Sequence, residues 1–432
     1  MLLSIAAGTA FGLTATASPA VAETTGNRYF LDCQAGNDTG AGTNAQPWKS
    51  LQKVNTVNFA AGDTLSIRAG TTCAGVLTPR GSGTKAAPIV VNSYGSGSAP
   101  KIVAAGARAA VMLRNQQGWE FRGLDITTTG AAGTPRAGIY VEATDFGTAA
   151  HFVVSGVVVH DINGCDCTGF DELSGGILFN AKGTARPTGF DDIQVTGNVV
   201  SHVDGIGIGT ASHWARRDLY PDGPGSTWVP HTNVQINRNS LTDLGGDGIV
   251  VQNGSGAVIQ QNSVNGYSKR ATAYHSGVWA WDSDNTLIQY NEIANGGGDI
   301  PTKAMDVDGA NNGIVYQYNS SHDNKGGLLL ACAIPGMRTI NSSIKYNSSK
   351  NDLDVGSGVI TLACDPQAGM EFTNNVIEST TSPALIKNSS TTSAKFTGNK
   401  FTGQAMGSTI DDKYGVYSGN VFTNVTNPPP QG

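Results

Sequence analysis

Between Gly277 and Asn319 the chain concentrates the residues best suited to chemistry: Asp282, Asp284, Asp306 and Asp308, with Trp279 and Trp281 among them. Two units on one plan follow each other here. Each has a short strand-like run (VWAWD, then AMDVD), a polar turn (SDN, then GANN) and an apolar strand ending in Asn (TLIQYN, then IVYQYN). Matching the strand ends puts Asn253, Asp282 and Asp308 in equivalent positions, with Asp306 beside Ala280 and Val251. Asp282 and Asp308 then stand on adjacent coils with backbones about 5 Å apart. Like charges that close do not both ionise without a cation or a shared proton. Two uses fit: Asp282, Asp284 and Asp308 as oxygen ligands of Ca2+, or Asp282, Asp306 and Asp308 as acid/base or nucleophile groups on a sugar. Asp284 also suits an ordinary Asx turn in DSDN, whereas Asp306 lies inside a strand, where no turn asks for it.

Further candidates flank this segment. Lys303, just before AMDVD, and His275, one coil earlier, are further catalytic candidates, being groups able to exchange a proton. Two long loops interrupt the repeat and bring aromatic and basic side chains. Residues 210–232 hold Trp214, Arg216, Arg217 and Trp228, and residues 266–276 hold Lys269, Arg270 and Tyr274. Loops on a rigid scaffold are where binding concentrates. Trp rings suit sugars, because the face buries C–H surface while the indole N–H finds an oxygen. Trp279 and Trp281 share a phase on their strand, so both point outward or both fill the interior. Asp204 and Asp247 precede Gly at the start of earlier strands and read as turn residues, and His202 and His322 recur with the repeat, which favours structure.

The elements that must position these groups are short parallel strands. Asn291, Asn319 and Asn347 recur at a fixed spacing, the mark of stacked repeats that cannot bury a core alone. One strand class begins with Gly and continues in aliphatics: GIYVE, GILFN, GIGIGT, GIVVQN, GVWAWD, GLLLAC, GVITLAC. A second ends at Asn198, Asn239, Asn262, Asn291, Asn319, Asn347, Asn375, Asn399 and Asn420. Stacked, these nine predict an amide ladder. With 57 Gly and only 14% charged residues, the composition is that of turns and β runs rather than long helices. A formal charge of −6 argues against nucleic acid as partner.

The fold class is therefore all-β, a single right-handed parallel β-helix over 61–424, with an N-terminal cap over 23–60 containing a short helix and a disordered tail over 425–432. Residues 1–22 are small and apolar and end in Ala-Val-Ala, which predicts a secretory signal. No other run is long enough for a membrane span, so a secreted monomer that engages no membrane is expected. Pairing the cysteines in chain order (Cys33 with Cys73, Cys165 with Cys167, Cys332 with Cys364) is the natural assignment, since the last two end equivalent strands; connectivity is not deducible from sequence alone.

Residues 27–104 carry a Gly/Asp/Gly turn, then PWKSL, GDTL, a Gly-rich turn, APIVV and SYG. This order resembles the N-terminal cap of secreted right-handed parallel β-helix proteins and is similar to the pectate-lyase and chondroitinase-B-like polysaccharide lyases. The resemblance implies a pectin-lyase-like fold and a Lys or Arg base, with substrate charge offset by Ca2+ or further cations. The chain lacks the acidic-plus-Lys signature of pectate lyases and the Asn-Thr-Asp, Asp-Asp and Gly-His-Gly signatures of polygalacturonases, so no family catalytic residue is carried over. Basic loops together with this resemblance favour a lyase that cleaves an acidic, uronate-containing polysaccharide by β-elimination. A glycoside hydrolase using paired Asp residues is the alternative, and a non-catalytic glycan-binding protein is the third reading. No organic cofactor is expected. The site is expected across the Gly-initiated strands of residues 205–332.

Overall fold

A strand whose neighbours lie on both sides at hydrogen-bonding distance satisfies its backbone without leaving the column, and this chain repeats that solution along its length. The computed structural model describes residues 26–167, 172–215, 217–219, 227–353 and 356–432. Each coil adds one strand to each of three parallel sheets, with 15, 13 and 11 strands among the described residues. The helix Leu51–Val54 follows PWKS, its first turn capped by Ser50, whose hydroxyl accepts the Lys53 N–H at 3.1 Å. The expected signal segment lies outside the described residues. Among those described, no helix is long and apolar enough to cross a membrane.

The opening segment carries the expected short helix, and its Arg28–Leu31 pairs in parallel with Thr64–Arg68 as the first rung of a sheet. The expectation of a disordered tail needs correction. Gly432 donates its N–H to the Tyr417 carbonyl at 2.8 Å, and Gln431 Oε1 accepts the Asn420 N–H at 3.1 Å.

The interior is one continuous apolar cluster from Leu31 to Tyr417. Beside it runs the amide ladder. Asn198 Nδ2 donates to Asn239 Oδ1 at 2.9 Å, and the same bond repeats through Asn262, Asn291, Asn319, Asn347, Asn375, Asn399 and Asn420. Each Nδ2 also donates to a main-chain carbonyl of the preceding coil, so these buried amides are satisfied as a series. Gln431 terminates the series on Asn420 at 3.2 Å, which explains why the tail is held.

The strands that open with Gly form the 11-stranded sheet. Their glycines are required by close approach: a Cβ on Gly277 would lie 2.5 Å from Ile293 Cγ2 and 2.7 Å from the Ala304 carbonyl oxygen. Three disulfides join Cys33 to Cys73, Cys165 to Cys167 and Cys332 to Cys364. They follow chain order, as expected.

Candidate active site

The register of the 11-stranded sheet decides which side chains meet. Asp306 pairs with Trp279, which pairs with Val250, while Val307 pairs with Ala280, which pairs with Val251. The alignment that set Asp306 beside Ala280 is therefore wrong by one residue. Counted from the level positions Trp281 and Asp308 to the next bridge, Asp284 with Asn312, the later turn carries one more residue, and matching strand ends absorbed that difference. A slip of one reverses every side chain. In the observed register Asp306 and Asp308 both leave the outer face, on the side of Trp279 and Trp281. Val278 and Ala280 fill the interior and both tryptophans are half-buried outside it, so the inward option for them is excluded.

Asp282 does not stand beside Asp308. It turns out of its strand in the left-handed region (φ 49°) and is fully buried. There it accepts Arg217 Nε at 2.9 Å, and Asp284 accepts Arg217 Nη1 at 2.7 Å. Arg217 Nη2 donates to the Ala310 carbonyl, and its guanidinium lies 4.4 Å from the ring centre of Trp228. A Ca2+ ion held by Asp282, Asp284 and Asp308 does not fit this arrangement, because the guanidinium already occupies the two carboxylates and Asp308 faces the groove. Among the described residues, no group of three or more His, Cys, Asp or Glu side chains is placed to hold a metal ion. Asp282 belongs to the clamp that fastens the long loop to the coils, not to the groove.

The groove has two lobes over the sheet. One lies over Ile206, Val250 and Trp281 and is bounded by Asp166, Cys167 and Leu173. The other lies over Asp306, Leu330 and the Cys332–Cys364 disulfide. Tyr274, His275, Trp279, Asp308 and Ile334 line both and form the waist. Asp308 is half-buried there. Asp306 is 5% exposed. Ser276 Oγ stands 3.5 Å from Asp306 Oδ2, and Asp306 Oδ1 has no hydrogen-bond partner.

Buried carboxyls with so few donors hold their protons. Burial, then the neighbouring charges of Asp308 and Asp247, push Asp306 well above the usual carboxylate range. Burial is also the chief cause that pushes Asp308 up to about 6, against the Gly309 N–H, which favours its ionised form. The strand beneath them is pinned at three carbonyls. Tyr316 Oη donates to the Asp306 carbonyl at 2.5 Å, Gln367 Nε2 to that of Val307 at 2.9 Å, and Thr339 Oγ1 to that of Asp308 at 2.7 Å.

His275 is part of the waist but is not a free base. Both ring nitrogens are engaged, Nδ1 with Asp247 Oδ2 at 2.9 Å and Nε2 with Asp166 Oδ1 at 2.6 Å. Burial disfavours its charged form, yet the charge of Asp247 and the hydrogen bonds to both carboxylates outweigh it and raise the pKa to about 10. It remains an imidazolium at neutral pH. Lys303 is buried and sends its ammonium to Ser357 Oγ at 3.3 Å and to the Gly358 carbonyl, and its charge still works against the raised proton affinity of Asp306.

The expected basic, aromatic loop surface is also revised. Arg270 bridges Asp204 at 2.5 Å and Asp243 at 2.6 Å, outside both lobes, and Lys269 donates to the Asn295 carbonyl. Trp214 is 5% exposed and directs its indole N–H at the Lys182 carbonyl, so it is a buried packing residue. Trp228 lies under Arg217, whereas Tyr274 does reach the waist and accepts the Lys303 N–H at 3.1 Å. Arg216 lies outside the described residues. Among the described residues, Arg217, Arg270 and Lys269 are thus engaged by protein oxygens, and the waist carries the Asp308 carboxylate and the His275 imidazolium, the latter held between Asp166 and Asp247.

A family model described as "right handed beta helix region" matches residues 175–401, just over half of the chain. The chain belongs to the right-handed β-helix family. Among proteins similar to this β-helix, the lacto-N-biosidase of Bifidobacterium longum subsp. longum is 24% identical over 513 residues, which span 97% of this chain and 30% of that protein. The chain therefore corresponds to under a third of that relative's length. The GH136 lacto-N-biosidase of Eubacterium ramulus superposes with a TM-score of 0.72 at 22% identity, over 92% of this chain and 68% of that one. XylC, solved in complex with xylose, superposes with a TM-score of 0.50 at 10% identity, over 88% and 76% of the respective chains.

Several β-helix residues at the waist escaped the sequence reading. Asp247 looked like a turn residue because Gly follows it, and nothing in the sequence singled out Ile334. Asp166 stands 109 positions before the His275 it binds, and no spacing rule spans that distance.

Proposed function

We propose that this β-helix is a glycoside hydrolase for uncharged glycans, with Asp306 as the general acid and Asp308 as the carboxylate that acts as nucleophile or base. The observation that carries this is the pair itself: two carboxyls two residues apart on one outer face, both with raised proton affinity, at the waist of a groove with room on either side. A rise of two strand residues is about 6.6 Å, on the scale that separates the two carboxyls of glycosidases. Asp306, deeper and poor in donors, keeps its proton at neutral pH and suits protonation of the leaving oxygen. Asp308, at the opening, is ionised above its pKa of about 6.

This reading replaces β-elimination on a uronate. A lyase base must remove a carbon-bound proton while cations neutralise the adjacent carboxylate, and here Arg217, Arg270 and Lys303 are bound to protein oxygens. Asp308, together with Asp166 and Asp247, which outnumber the one imidazolium held between them, would instead repel an acidic sugar. The hydrolase chemistry named by the two lacto-N-biosidases supports the same choice and puts lacto-N-biose-containing glycans first on a substrate panel.

The test is incubation with neutral and acidic oligosaccharides, reading reducing ends alongside the ultraviolet absorbance of unsaturated uronides. New reducing ends from a neutral glycan without that absorbance are expected, with a loss of at least about 10²-fold in Asp306→Asn. Unsaturated product, or full activity in Asp306→Asn, overturns the assignment.

A further inference from the structure

Beside the carboxylate pair, one chain of hydrogen bonds joins three distant parts of the sequence to a wall of the groove. Asp247 is at its centre. Its Oδ1 accepts the Trp279 indole N–H at 2.8 Å and the Ser276 amide at 2.7 Å. Its Oδ2 accepts His275 Nδ1 at 2.9 Å. Beyond the imidazole, Asp166 holds His275 with one oxygen, and with the other takes the Thr272 amide at 2.5 Å, the Thr272 hydroxyl at 2.8 Å and the Ala273 amide at 3.1 Å. Asp166 itself sits inside the ring closed by Cys165 and Cys167.

The burial of this assembly calls for an explanation. Asp247 is 4% exposed and His275 8%, although both lie at the wall of an open groove. Charges taken from water cost several kcal/mol unless geometry and further hydrogen bonds compensate them, and a solvated turn aspartate needs none of this. What the arrangement produces is an immobile acceptor aimed at one indole. A half-buried, outward Trp with a free N–H would rock about its side-chain torsions, whereas Trp279 is fixed at its polar edge. Its strand neighbour in register is Asp306. A ring held at one angle beside the acid offers a fixed apolar face to the C–H side of a pyranose.

We propose that Asp247 is the positioning residue of this groove: through Trp279 it fixes the platform on which the sugar ring beside Asp306 and Asp308 stacks. The inference rests on the hydrolase reading for its substrate, but not for its geometry. Asp247 touches no reacting atom. Its charge also raises the proton affinity of Asp306 and Asp308, an effect that Asp247→Asn removes while keeping the contact to Trp279. Through Trp279 it acts by orientation, which matters because misplacing a bound group by about 1 Å costs on the order of 10²-fold in rate.

The test is a double-mutant cycle on a glycan that the wild-type chain hydrolyses. Asp247→Ala is expected to lower kcat/KM by about 10–100-fold, and Asp247→Asn, which keeps an acceptor oxygen for the indole, should recover most of it. In a Trp279→Ala background, Asp247→Ala should add less than roughly a twofold further loss, because coupled residues are not additive whereas independent ones are. Fully multiplicative losses overturn the proposal. Should Asp247→Ala fail to fold, Trp279→Phe carries the test: it keeps an aromatic ring but no N–H, and is expected to lose activity on the same scale. Full activity in Trp279→Phe also overturns it. If the wild-type chain hydrolyses no glycoside, the hydrolase reading fails separately. The relay is then read from the Trp279 indole N–H resonance in tryptophan-labelled protein, which should shift in Asp247→Ala and return in Asp247→Asn. An indole resonance unmoved by Asp247→Ala refutes the contact on which the proposal stands.

Discussion

Replacing Asp308 by Asn should make the folded protein more stable at neutral pH while it abolishes turnover. A carboxyl whose pKa rises from 3.8 to about 6 on folding binds its proton more tightly in the native state. Stability is then undiminished below pH 4 and falls as pH rises towards 6, beyond which the whole cost of the buried charge is present. At 1.36 kcal/mol per pH unit the ceiling is about 3 kcal/mol. The carboxyl opens onto the groove, so screening by water brings the expected gain in Asp308→Asn to about 1–2 kcal/mol at pH 7. Urea denaturation of both proteins at intervals between pH 4 and pH 7 reads the difference directly. The curves should nearly coincide at the acid end and separate through pH 5–6. Asp306→Asn should gain less at pH 7, because Asp306 keeps its proton there. Comparing variant with wild type cancels the other groups that titrate in this window. If Asp308→Asn is no more stable than wild type at pH 7, or if its advantage is the same at pH 4, Asp308 does not carry the burdened charge and its role as the reactive carboxylate falls with it.

Activity should rise with pH through about 6, as Asp308 ionises, and fall at higher pH when Asp306 loses its proton; a kcat/KM profile flat between pH 5 and 7 contradicts this. Arg217→Met leaves Asp282 buried without its guanidinium, and a loss of about 3–5 kcal/mol in thermal or urea unfolding is expected. Asn375→Ala breaks the ladder between Asn347 and Asn399 outside the groove, and should cost about 1–3 kcal/mol while kcat of the folded enzyme stays unchanged. The double variant Cys332→Ser/Cys364→Ser removes a bridge that closes a sequence separation of 32 residues, so about 3–4 kcal/mol should be lost in equilibrium unfolding.

The repeat was legible because it is periodic and local. An Asn that bonds the next Asn along the stack must recur in every coil, and a Gly that meets the backbone of the next coil cannot change. Asn198 to Asn420 and the Gly-initiated strands could therefore be named from the sequence, and equivalent strand ends pointed to the Cys332–Cys364 bridge. The C-terminus was harder. Nothing local in NPPPQG says that Gln431 continues the ladder from Asn420.

The site was legible only in part, for a reason that lies in the same periodicity. A side chain in this sheet points to the groove or to the interior according to parity, and one extra residue in the turn after Asp308 was enough to exchange Asp282 for Trp281 as the neighbour of Asp308. Asp306 survived that error because a carboxylate inside a strand is unusual in either register. The cations failed for a different reason. Arg217, Arg270 and Lys303 are conspicuous in sequence, but what a cation does depends on which acceptors it reaches. Those acceptors are Asp282, Asp204 and the Gly358 carbonyl, which belong to other coils. With these three cations bound to protein oxygens and the His275 imidazolium held between Asp166 and Asp247, the net charge left at the groove among the described residues is that of the carboxylates. The sign of the groove is therefore a property of the three-dimensional pairing and not of the composition of its loops, and it is this sign that turns the reading from an acidic polymer to a neutral one.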